Sequence, residues 1–322
     1  VNIPVYLLLI ALALVLVIGL VWLAGNLANS DMSLSPDEAA EMATNIGLAF
    51  GAPMVADCSA YPPPEGERIA YVNQTGDTLY LKTTTTGTLC LVTTGSLADP
   101  ALSPDGGRIA FTRRADTNTD VWIIDLSSGA ETNLTLNIPD PASQPVWSPD
   151  GSQIAFTRVT ASNGSEIWTI SSDQSNERSL TAGTAADWSP LGTRLAFTGD
   201  NPDAVTYIAL VNTDGSGRER LSESTVGESF PSWSPDGTRI LFARPDETNI
   251  YTVNPDVTPQ EYQLVANGVT ALSDLQWLTE EQFAYVMDGV LHTRMFPPNV
   301  GSGQDRVVLE DVNTFDWWML PQ

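Results

Sequence analysis

A five-residue phrase, Trp-Ser-Pro-Asp-Gly, recurs along this chain, and each copy is followed by a short apolar run. Complete copies stand at residues 147–151 and 233–237, and close relatives stand at residues 102–106 and 188–192. Two weaker copies occur at residues 64–66 and 277–281. The last residue of each copy recurs at an interval of about 40–45 residues, at Gly66, Gly106, Gly151, Gly192, Gly237 and Glu281. A single unit of this size cannot bury its own apolar face, so the repeat predicts units that stack on one another.

Each repeat contains the pattern of four short strands. In the third repeat, residues 145–147 lead into the turn, and residues 153–157, 167–170 and 177–180 form the next three strands. The proline fixes φ in the turn, the aspartate hydrogen-bonds the backbone beyond it, and the glycine accepts a positive φ. After the sixth repeat, residues 314–318 resemble the lead-in strand at 186–188. We therefore predict an all-β, six-bladed β-propeller over residues 57–322, closed by a C-terminal strand that leaves no open sheet edge.

Over about residues 60–318, these phrases resemble the TolB-like, WD40-like (PD40) β-propeller repeat family. The resemblance implies the propeller fold. It implies no single activity, because that family includes binding scaffolds, peptidase gating domains and enzyme domains. The last repeat departs from the family pattern, since Trp277 is followed by Leu278 and Thr279 in place of the Ser-Pro-Asp-Gly turn.

The composition disfavours one class of partner. The formal net charge is −25, from 39 acidic and 14 basic residues, and Lys82 is the only lysine. An acidic surface repels phosphate backbones, so we expect no nucleic acid partner. Few lysines and many Thr, Ser, Asn and Asp residues suit an extracellular surface, although such a charge also keeps a propeller soluble without any partner.

The sequence offers no recognisable catalytic set. The only histidine, His292, falls in a predicted strand, where packing is the more common role, and no nucleophile elbow, P-loop or dinucleotide fingerprint occurs. Residues 116–120 (Asp-Thr-Asn-Thr-Asp) could face a calcium ion, but they lack the glycine and distal glutamate of an EF-hand loop, and we interpret them as a hairpin tip. We predict no catalytic residue, cofactor or metal site.

Several aromatic residues fall on equivalent predicted strands and are interpreted as core between blades. A platform for stacking sugars is the other interpretation. Propellers usually bind through the loops at one end of the central channel. Nothing in these loops marks a particular ligand, and an extracellular protein and a glycan are both candidates. The aromatic residues are Trp122, Trp168, Tyr207, Tyr251 and Tyr80.

Two further features suit an oxidising, extracellular compartment. Cys58 precedes the first blade and Cys90 lies in its predicted outer strand, so a disulfide would tie the entering chain to the propeller. Two buried thiols are the alternative. Asn73, Asn133 and Asn163 begin Asn-x-Ser/Thr triplets beside predicted turns, which makes them candidate glycosylation sites. Such triplets also arise by chance in a Thr-rich chain.

The N-terminal region has the pattern of a long hydrophobic helix, residues 1–25. Residues 5–24 carry no charge, enough at about 1.5 Å per residue to cross a hydrocarbon core of about 30 Å. No Lys or Arg precedes Arg68, and the sequence starts without methionine, so we expect that a basic leader has been removed. This stretch resembles archaeal-type (type IV) pilin N-termini, in which a proline precedes an aliphatic run. The residues expected to mediate assembly are Val1, Pro4, Val5, Leu9, Leu16 and Trp22.

A linker, residues 26–56, follows with a short predicted helix at 36–49, which Ser35 caps and Pro36 begins. Two functions fit this organisation. The first is a non-catalytic, pilin-like structural subunit of an extracellular filament, which binds copies of itself through its N-terminal helix and displays the propeller for adhesion. The second is a TolB-like envelope scaffold that a single helix anchors in the lipid bilayer and that binds a partner protein. Both place the propeller at the cell surface.

Overall fold

The recurring turn joins the first two strands of blades 2 to 5. The computed structural model describes residues 55–57, 66–84, 87–115, 118–200, 205–222, 224–257, 260–296 and 305–319. These residues form six sheets, and the innermost strands of successive sheets lie beside one another in a closed ring. The predicted six-bladed propeller is therefore confirmed. Residues Val55–Gln322 make up one compact unit.

The strands run outward from the channel in every blade. Blade 1 contains β1 (Val55–Asp57), β2 (Arg68–Asn73), β3 (Thr78–Thr83) and β4 (Leu89–Thr94), together with the C-terminal strand β25 (Val312–Trp318). Blade 2 contains β5 (Ser96–Leu102), β6 (Arg108–Arg114), β7 (Thr119–Asp125) and β8 (Glu131–Asn133). Blade 3 contains β9 (Ala142–Trp147), β10 (Gln153–Thr160), β11 (Gly164–Ser171) and β12 (Arg178–Ala182). Blade 4 contains β13 (Thr184–Trp188), β14 (Arg194–Asp200), β15 (Thr206–Asn212) and β16 (Glu219–Arg220). Blade 5 contains β17 (Ser229–Trp233), β18 (Ile240–Arg244), β19 (Asn249–Val253) and β20 (Tyr262–Asn267), and blade 6 contains β21 (Leu272–Thr279), β22 (Gln282–Met287), β23 (Val290–Met295) and β24 (Arg306–Glu310).

Blade 1 closes the ring with strands from both ends of the unit. Strand β25 pairs antiparallel with β2, with Trp317 opposite Ile69 and Phe315 opposite Tyr71, as the sequence predicted. On the outer edge, β1 pairs in parallel with β4, and this fifth strand was not predicted. The last strand of the chain is thus the innermost strand of the first blade, and it leaves the ring without a gap.

The core lies between blades because the second strand of each blade is covered on both faces. In β10, for example, residues 154–157 are all buried. Strands covered on both faces are continuous apolar runs rather than alternating ones, which explains the apolar run after each turn. Replacing one of the equivalent core phenylalanines with alanine should cost about 3–5 kcal/mol. The fully buried phenylalanines are Phe111, Phe156, Phe197, Phe242 and Phe283.

The recurring phrase makes hydrogen bonds within its own turn and packing contacts with the turn of the neighbouring blade. In blade 3, the Ser148 hydroxyl donates to Asp150 at 2.6 Å, and Asp150 accepts the backbone N–H of Ser152 at 3.0 Å. Gly151 has φ +69°, which favours glycine, and a Cβ there would lie 3.6 Å from the ring of Pro104 in the preceding turn. The proline of one turn therefore packs on the glycine of the next. Leu191 stands where other copies have aspartate, and it is 85% exposed.

The predicted N-terminal helices at residues 1–25 and 36–49 lie outside the described residues. A short 3₁₀ helix, Pro245–Glu247, follows β18. In the part of the chain that the structure describes, no helix has the length and apolar character that a membrane crossing needs.

Candidate functional site

The innermost strands of all six blades line a cavity of about 330 Å³, here called the channel cavity. Its described lining includes four carboxylates and no lysine, arginine or histidine. Proline rings and apolar side chains form much of the remaining wall, including Pro100, Pro145, Pro231, Phe230, Leu275 and Phe315. The four carboxylates are Asp99, Asp187, Asp274 and Asp316. A pocket of this size with a few convergent polar groups is typical of a binding site.

The position of each carboxylate follows from the strand pattern. Asp187 and Asp316 immediately precede Trp188 and Trp317 at the ends of their inner strands. Successive side chains of a strand point to opposite faces, so the tryptophan packs between blades while the residue before it lines the channel. Asp99 and Asp274 lie two residues before the equivalent position in their own strands, nearer the end where the inner strands begin. We call that end the entry end.

The residue before the tryptophan also binds the next blade. The carboxylate of Asp187 accepts the backbone N–H of Trp233 at 2.7 Å, and Ser232 accepts that of Trp277 at 2.9 Å. Gln276 likewise accepts the N–H of Trp317 at 2.8 Å. Between these neighbouring inner strands, a channel-lining side chain replaces the water that would otherwise satisfy a buried backbone donor.

Where the residue at this position is apolar, the hydrogen bond between blades involves its backbone carbonyl instead of its side chain. Ala101 and Val146 have no side-chain acceptor, and their backbone carbonyls instead accept the indole N–H of Trp147 at 3.0 Å and of Trp188 at 3.2 Å. Where the preceding residue is polar, the indole nitrogen of the next tryptophan is buried without a hydrogen-bond partner among the described residues. This holds for Trp233, Trp277 and Trp317. The residue before the tryptophan therefore determines which donor of the next blade's tryptophan is hydrogen-bonded across the joint between the two blades. A polar residue binds the backbone N–H, and an apolar residue leaves its carbonyl to bind the indole N–H.

The surroundings of the four carboxylates favour their protonated forms. Burial, together with the nearby Asp316 carboxylate, raises the pKa of Asp187 to about 7. Burial raises the pKa of Asp274 to about 7, with Asp99 and Asp316 adding to the effect. Burial alone raises the pKa of Asp316 to about 6 and also raises that of Asp99. Carboxylates that ionise near neutral pH without a positive neighbour attract a proton or a cation.

The entry end is built from strained backbone. Four inner-strand residues at equivalent positions have left-handed φ values: Asp99 at +50°, Gln144 at +55°, Ala185 at +50° and Phe230 at +56°. For residues other than glycine this conformation costs about 1–2 kcal/mol each. The register of each strand shifts at this place, which marks a β-bulge. Bulges redirect side chains and occur often beside binding sites.

The other sequence-predicted candidates lie away from this cavity. The ring of His292 stacks on Tyr285 in blade 6, with centroids 5.3 Å apart, and its buried Nδ1 has no partner among the described residues. In the proposed hairpin tip, the Asp120 carboxylate accepts hydrogen bonds from Asn118, Asn133 and Thr135, while residues 116 and 117 lie outside the described residues. Among the residues that the structure describes, no group of three or more His, Cys, Asp or Glu side chains is placed to hold a metal ion.

The predicted aromatic residues belong to the core between blades, which confirms that interpretation. Each packs with a cluster drawn from two adjacent blades. A guanidinium group also covers four of them, so these ring faces are closed to a stacked sugar. Arg113 lies 4.7 Å from the Trp122 centroid, Arg158 lies 4.3 Å from Trp168, Arg220 lies 4.4 Å from Tyr207, Arg244 lies 4.6 Å from Tyr251, and Tyr80 stacks on Tyr71.

The three sequons differ in their surroundings. Asn73 is buried, its amide donates to Asp77 at 2.8 Å, and its oxygen accepts two backbone N–H groups. The Asn133 amide donates to Asp120 at 3.1 Å. Asn163 is exposed at the hairpin between β10 and β11. Its amide donates to the Glu166 carboxylate at 3.1 Å, but of the three sequon asparagines it alone is exposed, which makes it the most accessible to a glycosylating enzyme.

The cysteine pairing stays a prediction, because Cys58 lies outside the described residues. Cys90 is buried in β4. Strand β1 ends one residue before Cys58, and its Ala56 stands opposite Cys90.

Comparisons with known proteins agree on the architecture. A family model described as the TolB beta propeller domain (PD40) matches residues 58–273. TolB from Acinetobacter baumannii is 19% identical with a TM-score of 0.64, covering 90% of this chain and 74% of its own. A putative TolB from Agrobacterium tumefaciens is 16% identical with a TM-score of 0.60, covering 80% of this chain and 98% of its own. A chain of a nidogen/laminin complex is 12% identical with a TM-score of 0.66, covering 79% of this chain and 99% of its own. At these identities the solved structures share the fold alone, and no curated protein matches the chain.

Proposed function

Because this chain belongs to the TolB β-propeller (PD40) family, we propose that it is a non-catalytic, cell-surface propeller that binds a partner protein at the entry end of its channel. One observation carries the proposal: the channel cavity is lined by inner strands from all six blades, four of which are bulged at that end. Strained backbone persists where the surrounding structure overdetermines it, and it clusters at binding sites.

The bonds of the channel carboxylates support a scaffold rather than an enzyme. Asp187 and Asp316 accept backbone N–H groups of the next blade, and Asp274 accepts that of Phe315 at 2.9 Å. An acid or base that transfers protons must reach its substrate through a free oxygen or a tightly held water. Asp187 and Asp274 each use one oxygen to hold a neighbouring strand, and Asp316 uses both of its oxygens to contact blades 2 and 6.

A similar fold in a protein complex also supports a binding role. The matching chain from the nidogen/laminin complex comes from an assembly of two proteins. Loops and strand ends on a rigid scaffold commonly carry recognition, because they vary without disturbing the core. The ends of the inner strands have this arrangement.

Site-specific photocrosslinking on intact cells tests this proposal. A photoreactive phenylalanine analogue at Phe230 lines the entry end. The matched control places the same analogue at Gln263, which is exposed on the outer strand β20 of the same blade. We expect a discrete crosslinked partner from position 230 and none from position 263. Equal crosslinking at both positions, or none at position 230, would overturn the proposal.

We further propose that the N-terminal helix carries the propeller on an extracellular, pilin-like filament. The N-terminal stretch at residues 1–25, which carries no charged side chain, supports this assembly through Val1, Pro4, Val5, Leu9, Leu16 and Trp22, all outside the described residues. The second candidate is a single-pass membrane anchor for the same propeller, which the same uncharged stretch also suits.

Electron microscopy separates the two candidates. Sheared surface material labelled with an antibody to the propeller should show decorated filaments, and Leu9→Arg should abolish them. Antigen that remains in the membrane fraction, without filaments, would favour the anchored scaffold instead.

A further inference from the structure

The wall of the channel cavity presents negative groups without a positive one. Its described lining contains the carboxylates Asp99, Asp187, Asp274 and Asp316 and no basic side chain. We propose that the channel cavity binds an organic cation, an alkylammonium or alkylguanidinium group such as the end of a lysine or arginine side chain. This inference rests on the proposed function, because the partner at the entry end would supply the cation.

A second observation comes from the wall behind the carboxylates. In blade 2, the Thr112 hydroxyl donates to Asp99 at 2.9 Å, and in blade 3 the Thr157 hydroxyl donates to Gln144 at 2.9 Å. The equivalent threonine of blade 4 is Thr198, which stands opposite Thr184 just as Thr112 stands opposite Ala98. The wall residue at this place in blade 4 is Ala185, which cannot accept the bond.

The Thr198 hydroxyl is consequently left without a partner. This residue is only 6% exposed, and its oxygen has no hydrogen-bond partner among the described residues. Thr198 has the same register as Thr112 and Thr157, whose hydroxyls donate to the wall residues Asp99 and Gln144. We therefore infer from the register that its hydroxyl faces Ala185, the wall residue of blade 4. A buried hydroxyl without a partner is costly. A ligand donor that reaches past the Ala185 methyl would satisfy it.

The size and chemistry of the cavity favour an organic cation over a metal ion. Calcium requires six to eight oxygens at about 2.3–2.6 Å. The described carboxylates do not converge in this way, since each binds the backbone of a different strand. An ammonium or guanidinium group instead offers three to five N–H donors to acceptors that stand apart. Its alkyl stem would lie against Pro100, Pro145 and Leu275.

The charge of the whole molecule favours the same ligand. A formal charge of −25 attracts cations over several ångströms and raises their local concentration near an acidic cleft. Among the residues that the structure describes, the titratable groups that face the cavity from its six inner strands are the four carboxylates. Since their pKa values are raised toward neutrality, binding should tighten as the pH rises from 5 to 8.

Calorimetric titration of the full-length chain tests the inference. The probes are n-butylguanidinium and n-butylammonium, with neutral n-butanol and calcium chloride as comparisons. We expect saturable one-to-one binding of the two organic cations, tighter at pH 8 than at pH 5, and none of butanol. Arms with an arginine-containing peptide and with spermidine separate a protein source from a free amine. One-to-one binding of calcium in place of the organic cations, or no binding of either cation, would overturn the inference.

Three variants locate the site. Asp187→Asn and Asp274→Asn keep an oxygen acceptor for the neighbouring strand, and each should weaken binding about tenfold, since desolvated charge pairs contribute far more than exposed ones. Asp246→Asn, an exposed carboxylate outside the channel cavity, removes the same charge and should leave the affinity unchanged. Equal weakening by all three variants would reduce the effect to net charge and overturn the inference.

Ala185→Gln provides a test that does not depend on charge. Gln144 holds the same left-handed conformation in blade 3, so glutamine fits the backbone at this position. We expect the new side chain to pair with Thr198, to preserve the melting temperature and to abolish cation binding. Unchanged cation binding in this variant would contradict the inference. Crosslinking at position 230 without cation binding would sink this inference alone, whereas cation binding without crosslinking would sink the proposed function.

Discussion

The Oδ2 atom of Asp316 accepts a hydrogen bond of 2.6 Å from the backbone N–H of Leu102, which lies 214 residues earlier in the chain. The other oxygen of the same carboxylate accepts the Gln276 amide at 2.6 Å. One side chain of the closing strand β25 therefore binds blade 2 and blade 6 at once. The closure of the ring depends on this carboxylate as well as on the strand pairing of β25 with β2.

Asp316→Ala should lower the free energy of unfolding by about 1–3 kcal/mol, because it leaves a buried backbone donor and an amide without an acceptor. Asp316→Asn keeps an acceptor for Leu102 and should cost less. Urea denaturation of the two variants beside the wild type measures the difference. If alanine were tolerated as well as asparagine, the carboxylate would have no part in the closure.

A buried ion pair in blade 5 provides a second test. Glu228 is fully buried, and its Oε1 lies 2.9 Å from Nη2 of Arg244. Arg244→Leu retains apolar contact with Tyr251 but leaves the carboxylate unpaired, which should cost about 3–5 kcal/mol. The exposed pair between Arg194 and Asp256 gives the control, because Asp256→Asn should cost only about 0–1 kcal/mol. Chemical denaturation that gave equal losses for the two variants would contradict this account.

The channel carboxylates predict an unusual pH dependence of stability. The pKa values of Asp187, Asp274 and Asp316 are about 7, 7 and 6 in the folded protein, against about 3.9 in an unfolded chain. The folded state therefore holds these protons more strongly, so the stabilisation is complete below about pH 4 and is lost as the pH rises through about 6–7. We expect a higher melting temperature at pH 5.5 than at pH 8.5.

The turn carboxylates have the opposite effect in a lower pH range. Hydrogen bonds hold the pKa of Asp150 below its usual value, and hydrogen bonds together with Arg239 do the same for Asp236, so their contribution is present above about pH 4 and is lost as the pH falls below it.

The effect of the channel carboxylates is tested by thermal melts of the double variant Asp187→Asn, Asp274→Asn. Its melting temperature should fall less between pH 5.5 and pH 8.5 than that of the wild type. An unchanged slope in that variant would assign the dependence to other groups.

The sequons give a fourth prediction. When a eukaryotic secretory host expresses the chain, Asn163 should carry a glycan and Asn73 should not, since the Asn73 amide is buried and bonded to Asp77. Glycopeptide mass spectrometry measures the occupancy of each site, with Asn163→Gln as the control. Full occupancy of Asn73 would mean that glycosylation precedes folding of blade 1.

Local patterns in the sequence predicted the blades because each strand lies close to its own turn. Residues 153–157 and 314–318 were predicted as strands, and the structure extends them to Gln153–Thr160 and Val312–Trp318. The fifth strand β1 was missed because its three residues pair with β4, more than 30 positions away, and carry no turn signal of their own. Short strands with distant partners leave little trace in a single sequence.

The channel cavity was missed for a related reason. Asp187 and Asp316 are far apart in the sequence, and they meet only because both precede a tryptophan at the end of an inner strand. A comparison of the residue before each tryptophan across the repeats would have found Asp187, Ser232, Gln276 and Asp316 as polar residues on one face. The orphaned Thr198 hydroxyl depends on strand register, which the repeat alone does not supply.

The four left-handed residues at the entry end carry a carboxylate, an amide, a methyl group and a phenyl ring, yet their φ values differ by only a few degrees. The backbone there is consequently indifferent to side-chain chemistry. Ligand preference can diverge at these positions by single substitutions while the architecture stays constant, as it does in antibody loops on a constant sandwich. Two propellers with this backbone would then be interchangeable as folds and unrelated as receptors.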